Sequence, residues 1–99
     1  MAPKMPHGLG YQGRKLWQSV VAEFDLDAEP HKRRILFDAA KTADLIDRLE
    51  KEMAGQPTTV LGSARQLTIH PLISEVRFAR ALLSQLLARL NFEASLEED

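Results

Sequence analysis

The groups through which this sequence could do chemistry are its histidines, carboxylates and basic side chains. His7, His31 and His70 lie far apart in sequence and in different expected elements, so a metal site would need them to converge with carboxylates. There is no cysteine, which excludes disulfides and thiolate zinc sites. Asp44 with Arg48, and Asp47 with Lys51, are spaced i,i+4 on one expected helix. That spacing fits a solvated ladder of ion pairs better than acid–base work. Glu75 lies close to Arg77 and Arg80, either as a pairing site between subunits or as ordinary charged helix surface. No G-x-x-x-x-G-K-[ST] phosphate loop, G-x-S-x-G elbow or H-E-x-x-H zinc helix occurs. The expectation is a protein that is not an enzyme, with no metal and no cofactor.

The basic side chains carry a different message. The formal net charge of -1 hides an asymmetry. Lys4, Arg14 and Lys15 stand in a stretch, residues 1–22, without any acid. His31, Lys32, Arg33 and Arg34 form a second cluster, whereas the end of the chain carries Glu93, Glu97, Glu98 and Asp99 with no base. Affinity for DNA comes mainly from neutralising phosphates. Lys4, Arg14, Lys15, Lys32, Arg33 and Arg34 are therefore the candidate contacts to double-stranded DNA. The last three open a helix whose N-terminal dipole adds to the attraction. The competing reading is that these six only solubilise the surface. The turn between the first two helices has about the length of a helix-turn-helix, but it is acidic and the following helix is long.

These residues must be positioned by helices. The dominant element is the run from His70 to Leu90. Leu72, Val76, Ala79, Leu83, Leu86 and Leu90 recur at spacings of three and four, which places them on one stripe for helix packing within or between protomers. Pro71 suits the first helical turn and Asn91 suits the end. Upstream, Leu16, Val20 and Phe24 predict a helix from Gly13 or Arg14 to Phe24, with Trp17 as a core anchor. Asp27 is the expected N-cap of a second long helix that admits Pro30 in its first turn, runs to Ala54 and stops at Gly55. Residues 55–70 form the connector, an open loop or a short hairpin turning at Gly62-Ser63. Helices of about 24 and 20 residues are ~36 Å and ~30 Å long, which matches them as a pair. The predicted fold is mainly α: a short N-terminal helix plus a long antiparallel helical hairpin with an extended or short β-hairpin connector. Residues 1–92 form a single small helical domain with a flexible arm over 1–13, and residues 93–99 an acidic tail.

A chain of 99 residues buries a modest core, so self-association is a natural way to add burial. Every long apolar stretch is interrupted by Arg or Glu, which predicts no membrane span, and the start of the sequence lacks a continuous apolar signal core. The expectation is a soluble intracellular protein.

The order of the segments carries a resemblance. GYQGRKLWQSV is followed by a polar turn, then LFDAAKTADLIDRLEKEMAG, then a connector, then IHPLISEVRFARALLSQLLARLNF. Over roughly residues 8–92 this resembles one family of small subunits of the terminases, the DNA-packaging enzymes of tailed phages. The residues that carry the likeness are Gly13, Arg14 and Trp17, then His70, Pro71, Glu75, Arg77 and Arg80, then the leucines to Leu90. The resemblance implies a non-catalytic protein of the bacterial host cytoplasm, from a phage or a prophage. It implies a homo-oligomer that recognises viral DNA and delivers it to the terminase large subunit, which carries the ATPase and nuclease. Family members commonly continue after the last helix with a glycine and a basic, proline-containing segment. Here Asn91-Phe92 leads instead into an acidic sequence. Two other readings fit the residues: a small helical DNA-binding regulator or antitoxin-like dimer, and a helical protein-interaction module.

Overall fold

The computed structural model describes residues 4–57, 59–61 and 67–90. It is mainly helical, in the order α1 (Tyr11–Glu23), α2 (Pro30–Met53), β1 (Thr59–Leu61), β2 (Leu67–Ile69) and α3 (Pro71–Arg89). The two short strands pair antiparallel, with Thr59 opposite Ile69 and Leu61 opposite Leu67. Gly62-Ser63 and the residues after Leu90 lie outside the described residues. Gly55 takes φ +80° just after α2, the left-handed conformation that a glycine adopts without strain.

α3 returns along α2. Ile73 shares a small cleft with Met53, Arg80 pairs with Glu50, and Leu83 lines a groove with Ala43 and Ile46. Leu90 then reaches the cluster that contains Leu36 and Ala40. The stripe read from the sequence faces this partner only in part. Val76, Ala79, Leu86 and Leu90 are buried, Leu72 and Leu83 are half-buried, and the outer flank leaves Phe78 71% and Leu82 46% exposed. The two latter residues stand four apart, so they share one outward face.

α1 crosses the first half of α2. Leu9, Trp17, Val20, Leu26, Leu36, Ala40 and Leu90 form one core cluster, in which the first helix, the turn after it, α2 and the end of α3 meet. The close approach depends on small residues. Gly13 is buried against the Ala40 carbonyl and the Asp44 carboxylate, and a Cβ built on it would lie 2.8 Å from that carbonyl oxygen.

Several local expectations need correction. α1 begins at Tyr11, two residues before the expected start, because Gly10 N–H donates to Asp44 Oδ2 and Gly13 N–H to Asp44 Oδ1, each at 2.7 Å. Asp44 therefore serves as a cap for α1 supplied by another helix, which satisfies two of the N–H groups that a helix start leaves open. It is not a member of the exposed ladder with Arg48. Asp47 does keep its i,i+4 partner, with Lys51 Nζ at 3.0 Å. The stretch expected as a flexible arm is likewise tied down toward its end, since Leu9 is buried in the core cluster and its carbonyl accepts from Arg14 Nη1 at 2.7 Å. Residues 1–3 of that arm lie outside the described residues. Separately, Asp27 is not the cap of α2. Glu29 holds that position without a side-chain cap, and Pro30 follows as the first helical residue.

Two measurements check this arrangement. Gly→Ala inside a helix ordinarily stabilises by roughly 0.5–1 kcal/mol. Gly13→Ala is expected to do the opposite, because the new methyl meets backbone as well as a carboxylate. Overpacking of this kind costs about 1–3 kcal/mol and lowers the thermal midpoint by several degrees. Asp44→Ala strands two N–H groups and is expected to cost about 1–3 kcal/mol in urea unfolding. Arg48→Ala, on the exposed face, should stay within about 0.5 kcal/mol of wild type. Equal effects of the two changes would return Asp44 to the surface ladder.

A candidate basic concavity around Trp17

Arg33 and Arg34 project from the first turns of α2 at the point where the chain has just left α1. Arg33 Nη1 donates to the Leu26 carbonyl at 2.6 Å and to the Asp27 carbonyl at 2.5 Å. The guanidinium thus closes the turn over Leu26, which is buried in the core. Carbonyl acceptors satisfy its hydrogen bonds without neutralising its charge. Arg34 lies 3.4 Å from Asp38, with its side chain 73% exposed, and its guanidinium carbon sits 5.8 Å from the Phe37 ring centroid. An ion pair so exposed contributes little and leaves the charge available to other partners.

The segment before α1 brings a third cation to the same place. Met5 packs on the core cluster, and Lys4 and Pro6 border an open concavity of about 610 Å³ with Arg33, Arg34, Phe37 and Trp17. Asp27 also lines it, so among the described residues the lining carries three cations and one carboxylate. Trp17 is 2% exposed, and its Nε1–H is buried without a hydrogen-bond partner among the described residues. The concavity therefore combines an apolar bed with a cationic rim.

Of the six candidate DNA contacts, Lys4, Arg33 and Arg34 come together here and the others do not. Lys32 turns to Glu29, 3.1 Å away, with only 16% of its side chain exposed. Arg14 is engaged by the Leu9 carbonyl, and the Lys15 ammonium stands 5.9 Å from the Tyr11 ring centroid. Sequence reasoning passed over Pro6 and Phe37 as members of the site. Phe37 was within reach of it, because it stands three residues after Arg34 and four after Arg33 on the same helix face.

The residues that carry the family resemblance fall in two separate places. Gly13 and Trp17 belong to the α1–α2 contact, and Arg14 reaches back to the Leu9 carbonyl ahead of α1. His70 is the N-cap of α3, its Nδ1 accepting from Leu72 N–H at 3.1 Å, with Pro71 in the first helical position. Arg80 crosses to Glu50 of α2 and not to Glu75. Among the described residues, Glu75 and Arg77 are exposed and enter no salt bridge. The described residues also contain no group of three His, Cys, Asp or Glu side chains able to hold a metal ion, and no helix long and apolar enough to cross a membrane. No family model, curated protein or solved structure matches the chain.

The two arginines predict different responses. Arg33→Ala removes charge-assisted hydrogen bonds that close the α1–α2 turn, and is expected to cost about 1.5–3 kcal/mol. Arg34→Ala should change stability by no more than about 0.5 kcal/mol. Thermal unfolding of the two variants separates a structural arginine from one free to serve a ligand.

Proposed function

We propose that this chain is a DNA-recognition and assembly component of the terminase small-subunit type. In this reading it is non-catalytic, acts in the bacterial cytoplasm, and presents viral DNA to a large ATPase and nuclease subunit. α2 and α3 form its long antiparallel helical hairpin, with the short strand pair as connector. The observation that carries the reading is the convergence of Lys4, Arg33 and Arg34 on one open surface, together with the ordered segments of the sequence resemblance. Phosphate contacts need cations on an accessible face; Arg34 keeps 73% of its side chain exposed beside Asp38, and Lys4 and Arg33 line the same surface. The helix-packing residues of α3 serve the folding of the single chain first, since Val76, Ala79, Leu86 and Leu90 are already buried in it.

A second reading has its own support. Phe78 and Leu82 expose large apolar side chains on one face of α3, which suits a helical protein-interaction module.

Both readings meet one pair of measurements. Duplex DNA titrated by fluorescence anisotropy at two salt concentrations is expected to bind the wild-type chain, with affinity falling steeply as salt rises. Lys4→Glu combined with Arg34→Glu should weaken binding at least tenfold at low salt. The same double variant should flatten the log–log salt slope by about 0.9 for each phosphate that is no longer neutralised. Lys15→Glu serves as the distal control. Unchanged affinity in the double variant would remove the DNA reading from this surface. Light scattering then distinguishes assembly states: a discrete many-subunit species favours the packaging role. A monomer without DNA affinity favours the interaction module.

A further inference from the structure

The concavity around Trp17 has a second feature, which is its position relative to the end of α3. Leu90 is 1% exposed and belongs to the same core cluster as Trp17, so α3 ends at the cluster from which Trp17 lines the site. The next residues are Asn91, Phe92, Glu93, Ala94, Ser95, Leu96, Glu97, Glu98 and Asp99. They lie outside the described residues, but their chemistry is legible. Four carboxylates accompany two large apolar side chains, Phe92 and Leu96. The concavity offers the complement: Lys4, Arg33 and Arg34 line it together with Pro6, Phe37 and the nearly buried Trp17. Nine residues reach at most ~30 Å at about 3.3 Å per residue, which is ample for a site lined by a member of Leu90's own core cluster.

We propose that this concavity is an acidic-peptide site and that its occupant is the chain's own segment Phe92–Asp99. Tethering raises the effective concentration of the segment at the site, so modest ion pairing and one or two apolar contacts suffice to hold it. Among the described lining residues Asp27 is the one acid, against three cations, and Asp38 stands 3.4 Å from the exposed Arg34. A carboxylate-bearing tail in this position occupies the face that a phosphate would need, so it acts as a built-in competitor for anionic ligands. The inference does not rest on the DNA reading, because it can be tested with no nucleic acid present.

The chain has no cysteine, so Ser95→Cys provides a single attachment point for a nitroxide spin label. Trp17 is the sole tryptophan, so its indole N–H gives one assignable signal in the 15N spectrum of the full chain. The expected result is a loss of intensity at the Trp17 indole and at the amides of Lys4, Arg34 and Phe37, relative to the reduced label. Ile73 and Arg80, farther along the bundle, keep their intensity. Tethering alone holds the tail near Trp17, so the decisive reading is the difference made by charge. Lys4→Glu with Arg34→Glu, or neutralisation of the tail by Glu93→Gln, Glu97→Gln, Glu98→Gln and Asp99→Asn, should restore much of the lost intensity. Circular dichroism of each variant checks that the fold is retained. Losses that persist unchanged in both charge variants overturn the proposal, as do losses spread evenly over the chain. Losses that appear when spin-labelled, unenriched chain is mixed with enriched, unlabelled chain also overturn it, and assign the site to the tail of a second copy.

Discussion

Two hydrogen bonds to one carboxylate hold this small protein together in a way that its size makes important. The start of α1 exposes N–H groups that no residue of its own segment caps: Gly10 has no side chain to offer. Asp44, more than thirty residues later in the chain, accepts from Gly10 and Gly13 at 2.7 Å each. The bonds form only if α1 lies very close to α2, and Gly13 permits that approach because it has no Cβ. Capping and packing are therefore one constraint. With α1 seated, Trp17 and Val20 reach the core, Leu9 is drawn in, and the segment carrying Lys4 passes over the beginning of α2.

The cationic surface follows from the same arrangement. Arg33 sits where α1 turns into α2, and it closes that turn through two carbonyl oxygens. A carboxylate partner would have cancelled its charge; carbonyls do not. Arg34 is solvated and only loosely opposed by Asp38. Trp17 lines the same concavity while almost wholly buried, and its indole N–H has no partner among the described residues. Three cations thus meet where α1 turns into α2, near the core cluster that also takes in Leu90 at the end of α3. At the opposite end, Arg80 pairs with Glu50, and its charge serves to hold α3 against α2.

Self-association and DNA binding enter this picture differently. The leucine stripe of α3, which as a sequence suits packing between protomers, is used in part to fold one protomer, through Val76, Ala79, Leu86 and Leu90. What remains for another chain is the outer flank with Phe78 and Leu82. A single stripe of the width seen here can serve two faces when its helix packs on one side only.

The helices were legible from local signals alone. The three- and four-residue spacings of Leu72 to Leu90, the proline at the start of each long helix and the glycine after α2 are local signals. Each acts through backbone geometry within a turn or two, so the elements could be read without their neighbours. Trp17 was legible as a core residue for the same reason: its size and its place on an apolar face leave it few alternatives. The role of Asp44 was not legible. Four residues from Arg48, it looks like any rung of a surface ladder, and only the approach of α1 makes it a cap. The same holds for the basic residues. Six cations looked equivalent, yet Lys4, Arg33 and Arg34 line one concavity while Arg14, Lys15 and Lys32 stand outside it. Contacts between residues about thirty apart depend on how helices pack. Helix packing is set by the shapes of whole faces, which no local spacing specifies.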